Sequence, residues 1–250
     1  MQSTIRPLVK NKGGDLTDPN NYRAIALANM ETKILESILM DKLHSYDDCD
    51  KYQYGIKKGH STAMCTSAVK KVTDDYINRG SHVFLSFVDF SKAFDRVNYW
   101  KLFSQLLDDG IELCFVKLLA FWYSNQTVCV LWQNTVSQHF MIGNGTMQGG
   151  ILSPYLFTRY VRGLIQSISA SRVGCNVAGL PLNIVAYADD MVLQAPSWHA
   201  MQELLYILGS HCHDLDIACN TNKTVYMVLK PLYKIQSRCQ QFSMLHSLWG

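Results

Sequence analysis

"YADDMVL", residues 187–193, sets two adjacent carboxylates, Asp189 and Asp190, between two short apolar runs, with Ile184 and Val185 before them and Met191, Val192 and Leu193 after. Such a pattern spells a tight β-hairpin whose turn carries the acids. A solvated turn would explain any isolated Asp-Asp pair. Adjacent carboxylates also repel one another, and they tolerate close approach best when a divalent cation neutralises them. One turn supplies too few ligands for a metal, so the reading depends on whether a distant part of the chain brings a third carboxylate.

"HVFLSFVDF", residues 82–90, offers that carboxylate: by length and composition it is a buried strand that stops at Asp89. If this strand lies beside the hairpin "NIVAYADDMVL", Asp89 reaches the turn and three carboxylates converge. Two divalent ions held by such a set can activate an attacking oxygen and stabilise the leaving oxygen of an in-line phosphoryl displacement.

Around these two segments the periodicity predicts an α+β layer, an antiparallel sheet with helices packed on one face. "ETKILESILMDKL" has Ile34, Leu35, Ile38, Leu39 and Leu43 at helical spacing, a core-facing stripe. Further helices are predicted in "HSTAMCTSAVKKVTDDYI", ended near Gly80, in "NYWKLFSQLLDDG", closed by Gly110, and in "ELCFVKLLAFWY". "TVCVLWQNTVSQHFMI" reads as a hairpin turning at Asn134 and Thr135, followed by the glycine-rich loop "GNGTMQGG". Ser153 and Pro154 read as N-cap and first-turn residue of a helix "YLFTRYVRGLIQSI". After the acidic hairpin come a helix, "WHAMQELLYILGSHCHDL", and a strand in "KTVYMVL".

At 250 residues and 48% apolar composition the chain can bury a sizeable core. No apolar stretch approaches the roughly 18 residues of a membrane span, and the first residues lack the apolar core of a secretory signal. Eight cysteines without CxxC spacing read as reduced, intracellular residues. A zinc site in "HCHDLDIAC" is disfavoured, because His211 and His213, two apart on a helix, point in different directions. A net charge of +3 does not announce a nucleic-acid binder. Locally, Lys51, Lys57, Lys58, Lys70 and Lys71 run without an acid and alternate with Tyr52 and Tyr54, which suits a phosphate-facing surface and equally a solvated helix face.

Six stretches in order resemble reverse transcriptases of the non-LTR retrotransposon (LINE-type) family. "NYRAIALANMETKILESIL" resembles the fingers motif around N-Y-R-P-I-S-L, and "YQYGIKKGHST" the linking motif Q-x-G-F-R-x-x-H-S-T. "FVDFSKAFDRV" resembles the motif carrying the first catalytic aspartate, and "GTMQGGILSPYLF" the family's G-x-x-Q-G-x-x-L-S-P-x-L-F. "YADDMVL" resembles the A-D-D hairpin, and "DIACNTNKTVYMV" the later N-x-x-K-T segment. Ala24 departs from the usual proline, and Ile56-Lys57 from the usual Phe-Arg.

The resemblance implies a right-hand polymerase with fingers over residues 1–80, a palm over 81–229 and a truncated connection towards a thumb over 230–250, the thumb itself largely absent. It implies an RNA-directed DNA polymerase using an RNA template, a DNA primer, deoxynucleoside triphosphates and two Mg2+ ions, with Mn2+ as a substitute. Work in the nucleus or cytoplasm, away from membranes, is the matching expectation. Asp89 and Asp189 are implied as metal ligands with the carbonyl of Phe90, and Asp190 as a supporting catalytic acid. Arg23 and Lys10 are implied as triphosphate contacts, Gln148 and Gly149 as the lining of the nucleotide and template pocket, and Lys223 as proton donor to pyrophosphate. Phe94 resembles a steric gate under the incoming sugar; the competing reading is a core aromatic sharing a helix face with Phe90. Two alternatives to a DNA-making enzyme follow from the same residues: a catalytically silent nucleic-acid-binding remnant, and an RNA-templated RNA polymerase, which the ring of Phe94 opposes.

Overall fold

The run VFLSFV forms the strand Val83–Val88, and its alternation decides how the central sheet is sandwiched. Val88, Ser86 and Phe84 face one way, into the main core; Val83 and Leu85 face the other, into a smaller cluster with Val72 and Cys175. Phe87 continues that second face towards Asp89 and is exposed.

The computed structural model describes residues 2–44, 46, 51–57 and 59–231. Lys58, Cys49, Cys239 and all but the start of the expected connection over 230–250 lie outside them. In chain order the elements are β1 (Gln2–Val9), β2 (Tyr22–Ala28), α1 (Met30–His44), α2 (Thr62–Asn78), β3 (Val83–Val88), α3 (Tyr99–Asp108), α4 (Leu113–Ser124), β4 (Thr127–Trp132), β5 (Thr135–Val136) and β6 (Phe140–Met141). There follow α5 (Ser153–Tyr160), α6 (Arg162–Ala170), β7 (Asn176–Val177), β8 (Leu180–Pro181), β9 (Ile184–Tyr187), β10 (Asp190–Ala195), α7 (Trp198–Asp214) and β11 (Val225–Leu229). No helix among them is long and apolar enough to cross a membrane.

Among the described residues two larger sheets carry the molecule, beside the short antiparallel pair β7–β8. The first has the order β2-β1-β4-β5, with β6 also on β4; β1 and β2 are antiparallel, while β1 and β4 run parallel. The second is antiparallel throughout, in the order β11-β3-β10-β9. A boundary at residue 80 follows neither sheet: β4 to β6 return to the first, and α2 packs on β9 and β3 of the second. The helices also cover both faces of the second sheet rather than one. Helices α6 and α7 pack on β9 and β10, and α2 covers part of the opposite face.

Several local readings shift for identifiable reasons. On α1 the buried face is Thr32, Glu36, Leu39 and Leu43, whereas Ile34 and Ile38 are 55% and 57% exposed. The buried carboxylate of Glu36 accepts the Ile151 N–H at 2.9 Å, so a polar contact joins Leu39 and Leu43 in setting the helix's rotation. The β4–β5 turn is Gln133-Asn134, one residue earlier than the composition suggests, with Gln133 left-handed. Ser153 is the first residue of α5 rather than its cap and makes no capping bond, and Val161 separates α5 from α6. Gly110 closes α3 in the left-handed conformation, as read.

Candidate active site

The register Met191↔Val88 puts the ends of β10 and β3 side by side, which brings Asp89 to the acidic hairpin. Tyr187 pairs with Asp190, so the two turn residues are Ala188 and Asp189, and Asp190 is the first residue of β10. Ala188 is left-handed, at φ 55°. Asp189 is partly buried and faces Asp89; Asp190 is exposed. Burial pushes the Asp189 carboxyl above the ordinary carboxylate range, and the charges of Asp190 and Asp89 push the same way.

The expectation of three converging carboxylates therefore narrows to two. Among the described residues no three His, Cys, Asp or Glu side chains gather as a metal cluster. Cys212 and Cys219 instead face one another as thiols, 3.8 Å apart. Two carboxylates still suit a small hard cation, because Mg2+ binds through one or two carboxylates and takes its remaining ligands from water and substrate phosphates.

Asp89 is fixed through its backbone. Its N–H donates to Thr224 Oγ1 at 3.3 Å, and its carbonyl accepts from Asn220 N–H at 2.7 Å. Ser91 N–H donates to the Ala218 carbonyl, completing a bridge between Phe90 and Cys219 that leaves the Phe90 carbonyl outside its hydrogen bonds. The segment "NTNKT" is thereby stapled to the strand end, and Lys223 is delivered to the same place.

Asp89, Phe90 and Asp189 form one wall of an open cleft of about 840 Å³ between the two sheets. Lys10 and Arg23 line the opposite side, from the end of β1 and from β2; Lys223, Phe94, Gln148 and Gly149 also line it. Of the expected site residues, Asp190 alone is outside this lining. Arg23 is exposed and, among the described residues, has no ion-pair partner; the Lys10 ammonium donates to the Asn20 carbonyl at 2.9 Å.

The glycine-rich loop joins the walls. Gly145 N–H donates to the Val97 carbonyl, Thr146 N–H to that of Phe94, and Ala26 N–H, on β2, donates to that of Gln148, each at 2.8 Å. Gly149 sits at φ +108°, and a Cβ there would lie 2.9 Å from the Ala26 carbonyl oxygen, so glycine is required for this approach. The Gln148 amide donates to Asp95 Oδ1 at 3.0 Å. Phe94 is partly buried: one face stacks on Phe157 with centroids 4.6 Å apart while the ring still lines the cleft. Residues 91–93 form a turn and Phe94–Arg96 a single 3-10 turn, so Phe90 and Phe94 do not share a helix face.

Residues 9–245 match the family described as "Reverse transcriptase (RNA-dependent DNA polymerase)". The chain belongs to the reverse transcriptase family. Relatives with this reverse transcriptase domain include proteins of retrotransposable elements. It is 28% identical over 192 residues to the retrovirus-related Pol polyprotein of the type-2 retrotransposable element R2DM of Drosophila melanogaster, covering 75% of this chain and 18% of that protein. The corresponding polyprotein of the type-1 element R2 of Popillia japonica is 27% identical over 200 residues, 77% of this chain and 27% of that one. The chain thus spans about a fifth to a quarter of these relatives' length. Among solved structures, apo telomerase of Candida tropicalis truncated from its C-terminal domain superposes with a TM-score of 0.64 at 12% identity, over 91% of this chain and 50% of that one. At that identity the likeness establishes the α+β fingers-and-palm fold.

Three residues that position the site were not read from the sequence. Glu36 holds the glycine-rich loop, Asp95 holds Gln148, and Gln53 contacts the acidic turn directly. Gln53 stands in the "YQYG" motif, which was its one visible signal. The backbones of the tyrosines beside it are tied to β9: the Tyr52 carbonyl accepts from Ala186 N–H, and Tyr54 N–H donates to the Ala186 carbonyl.

Proposed function

We propose that the chain is an RNA-directed DNA polymerase domain that adds deoxynucleotides to a primer 3′-hydroxyl on an RNA template. One observation carries the reading: a carboxylate pair on one wall of the cleft faces cationic side chains on the other. A nucleoside triphosphate requires both, cations for its phosphates and oxygen ligands for the divalent ions that accompany it. In this reading the first sheet is the fingers, including β4 to β6, and the second is the palm with α2.

Asp89, Asp189 and the Phe90 carbonyl would hold Mg2+, or Mn2+ in its place, an all-oxygen donor set that suits either ion. Bound there, two such ions would supply activation of the primer hydroxyl and neutralisation of the departing pyrophosphate. Asp190 adds negative potential beside them. Arg23 grips triphosphate oxygens with its forked donors, and Lys10 assists as a point charge. Lys223 gives a proton to the pyrophosphate oxygen. Gln148 and Gly149 line the pocket of the templating pair, and Phe94 lies under the sugar. The free thiols found among the described residues suit the reducing conditions of nucleus or cytoplasm.

The test is extension of oligo(dT) annealed to poly(rA) with deoxythymidine triphosphate and Mg2+, beside filter binding of the same duplex. Metal-dependent extension is expected. Binding without extension would instead make the chain a silent nucleic-acid-binding remnant, and extension with ribonucleotides alone would make it an RNA polymerase.

A further inference from the structure

The acidic turn has an unusual support. In a two-residue hairpin the first turn residue's own N–H and C=O have no partner across the strands. Here that residue is Ala188, held left-handed, and both of its backbone groups are taken by one side chain from 135 residues upstream. Gln53 Oε1 accepts the Ala188 N–H at 2.9 Å, and Gln53 Nε2 donates to the Ala188 carbonyl at 3.1 Å. The same Oε1 accepts the Gly55 N–H at 2.9 Å, which orients the amide. Gln53 is 3% exposed.

The surrounding backbone continues this arrangement. Tyr54 N–H donates to the Ala186 carbonyl and Ala186 N–H to the Tyr52 carbonyl, each at 2.8 Å, a parallel bridge along the outer edge of β9. Gly55 then passes so close to the turn that a Cβ would stand 2.3 Å from Ala188 N. The backbone bonds thus tie this segment to Ala186, while the Gln53 amide and the Gly55 contact both press on Ala188, the residue that precedes Asp189.

We propose that Gln53 is the positioning residue of Asp189: its amide acts as the missing strand partner of Ala188 and sets where the metal-binding carboxylate stands. The inference rests on the polymerase reading above and deepens it. It separates two roles for buried glutamine. If the residue only stabilises the fold, its loss weakens stability and every kind of binding together. If it positions, its loss slows nucleotide addition while substrates still bind, because a misplacement of about 1 Å at a reacting centre costs roughly a hundredfold in rate.

Two measurements on the full chain test this. The first is hydrogen exchange of the Ala188 amide, which needs no activity. It is expected to be protected in the wild type and to open in Gln53→Met, which keeps the volume and loses the amide, with the amides of β3 unchanged. The second is single-turnover nucleotide addition on an RNA template. Gln53→Met is expected to add nucleotide about a hundredfold more slowly, with nucleotide and duplex affinities near those of wild type. Gly55→Ala, which pushes the turn from the backbone side, is expected to show the same split. Gln53→Glu keeps the acceptor and loses the donor, so it should fall between.

An Ala188 amide that exchanges freely in the wild type would overturn the clamp. An unchanged rate in Gln53→Met, or a fall in rate matched by parallel losses in affinity and melting temperature, would overturn positioning. A wild type whose Ala188 amide is protected but which adds no nucleotide would overturn the polymerase reading, and Gln53's part in it, while leaving the clamp as a structural fact.

Discussion

On the palm wall of the cleft, Asp89 is bonded through its own N–H and carbonyl, and Asp189 follows a residue whose N–H and carbonyl are both held. On the fingers wall, Arg23 stands in the β1–β2 ladder opposite Leu8, and Lys10 donates its N–H to the Asn21 carbonyl at 2.7 Å and its ammonium to the Asn20 carbonyl, both side chains being exposed. Both walls have bonded backbones; the palm carboxylates stand on short side chains close to theirs, whereas the fingers cations reach out on long exposed ones. The difference matches two tasks. Groups that hold reacting atoms lose rate steeply when displaced, so they must be preorganised. Groups that capture a mobile triphosphate need charge and reach more than a fixed position.

The widest gap between the walls should appear when the charge itself is removed. Asp89→Asn and Asp189→Asn are each expected to lower primer extension by about three orders of magnitude or more, since metal-based charge stabilisation is worth several kcal/mol. Filter binding of the primer–template duplex should stay close to wild type, because duplex affinity comes from phosphate contacts by basic groups. Extension within tenfold of wild type in either variant would remove that carboxylate from the site. On the fingers wall, Arg23→Ala is expected to raise the KM for deoxynucleotide roughly ten- to a hundredfold, the value of a charged hydrogen bond of about 1.5–3 kcal/mol. An unchanged KM with a weakened duplex complex would move Arg23 onto the nucleic-acid path.

Phe94 stands between these extremes, since its ring stacks on Phe157 and also lines the cleft. Phe94→Val should change selectivity more than speed: the ratio of kcat/KM for dCTP to that for CTP falls, because a built-in clash with the 2′-hydroxyl is relieved. If that ratio holds and only the melting temperature drops, the ring serves the core alone.

The smallest expected effect is on stability. Burial raises the Asp189 carboxyl above its ordinary pKa of 3.8, so the folded protein holds that proton more tightly than the unfolded chain. Without metal, stability is therefore unpenalised below the ordinary value, falls as pH rises through the raised one, and is lowest with respect to this group at neutral pH. Asp189→Asn should raise the metal-free melting temperature at pH 7, with the difference fading on acidification to below pH 3.8. A scan at both pH values checks it; a lower melting temperature for the variant at pH 7 would contradict the sign.

Much of this cleft was legible because its parts lie in short runs with strong local signals. The strand ending at Asp89, the hairpin bearing Asp189 and the glycine-rich loop each announce themselves by period, charge or composition. The contacts that assemble them were not legible. Glu36 lies at a position whose neighbours Ile34 and Leu35 suggest an apolar face, and only the Ile151 N–H explains its burial. Asp190 looks equivalent to Asp189 in the sequence, yet a two-residue turn takes one acid and leaves the other to the strand. Gln53 acts across 135 residues, and no local pattern reports a side chain that completes a distant turn. The return of β4 to β6 into the first sheet is likewise a long-range pairing, which hydrophobic alternation cannot specify.

The division of labour between the walls is tested most directly by single-turnover nucleotide addition across a range of deoxynucleotide concentrations, comparing Asp189→Glu with Arg23→Ala. Asp189→Glu keeps the charge and shifts it by one methylene. It is expected to lower the saturating rate about a hundredfold while the nucleotide Kd stays near wild type. Arg23→Ala is expected to raise the Kd roughly ten- to a hundredfold with a saturating rate near wild type. Both variants moving the same parameter, whether rate or Kd, would contradict the assignment of chemistry to one wall and capture to the other.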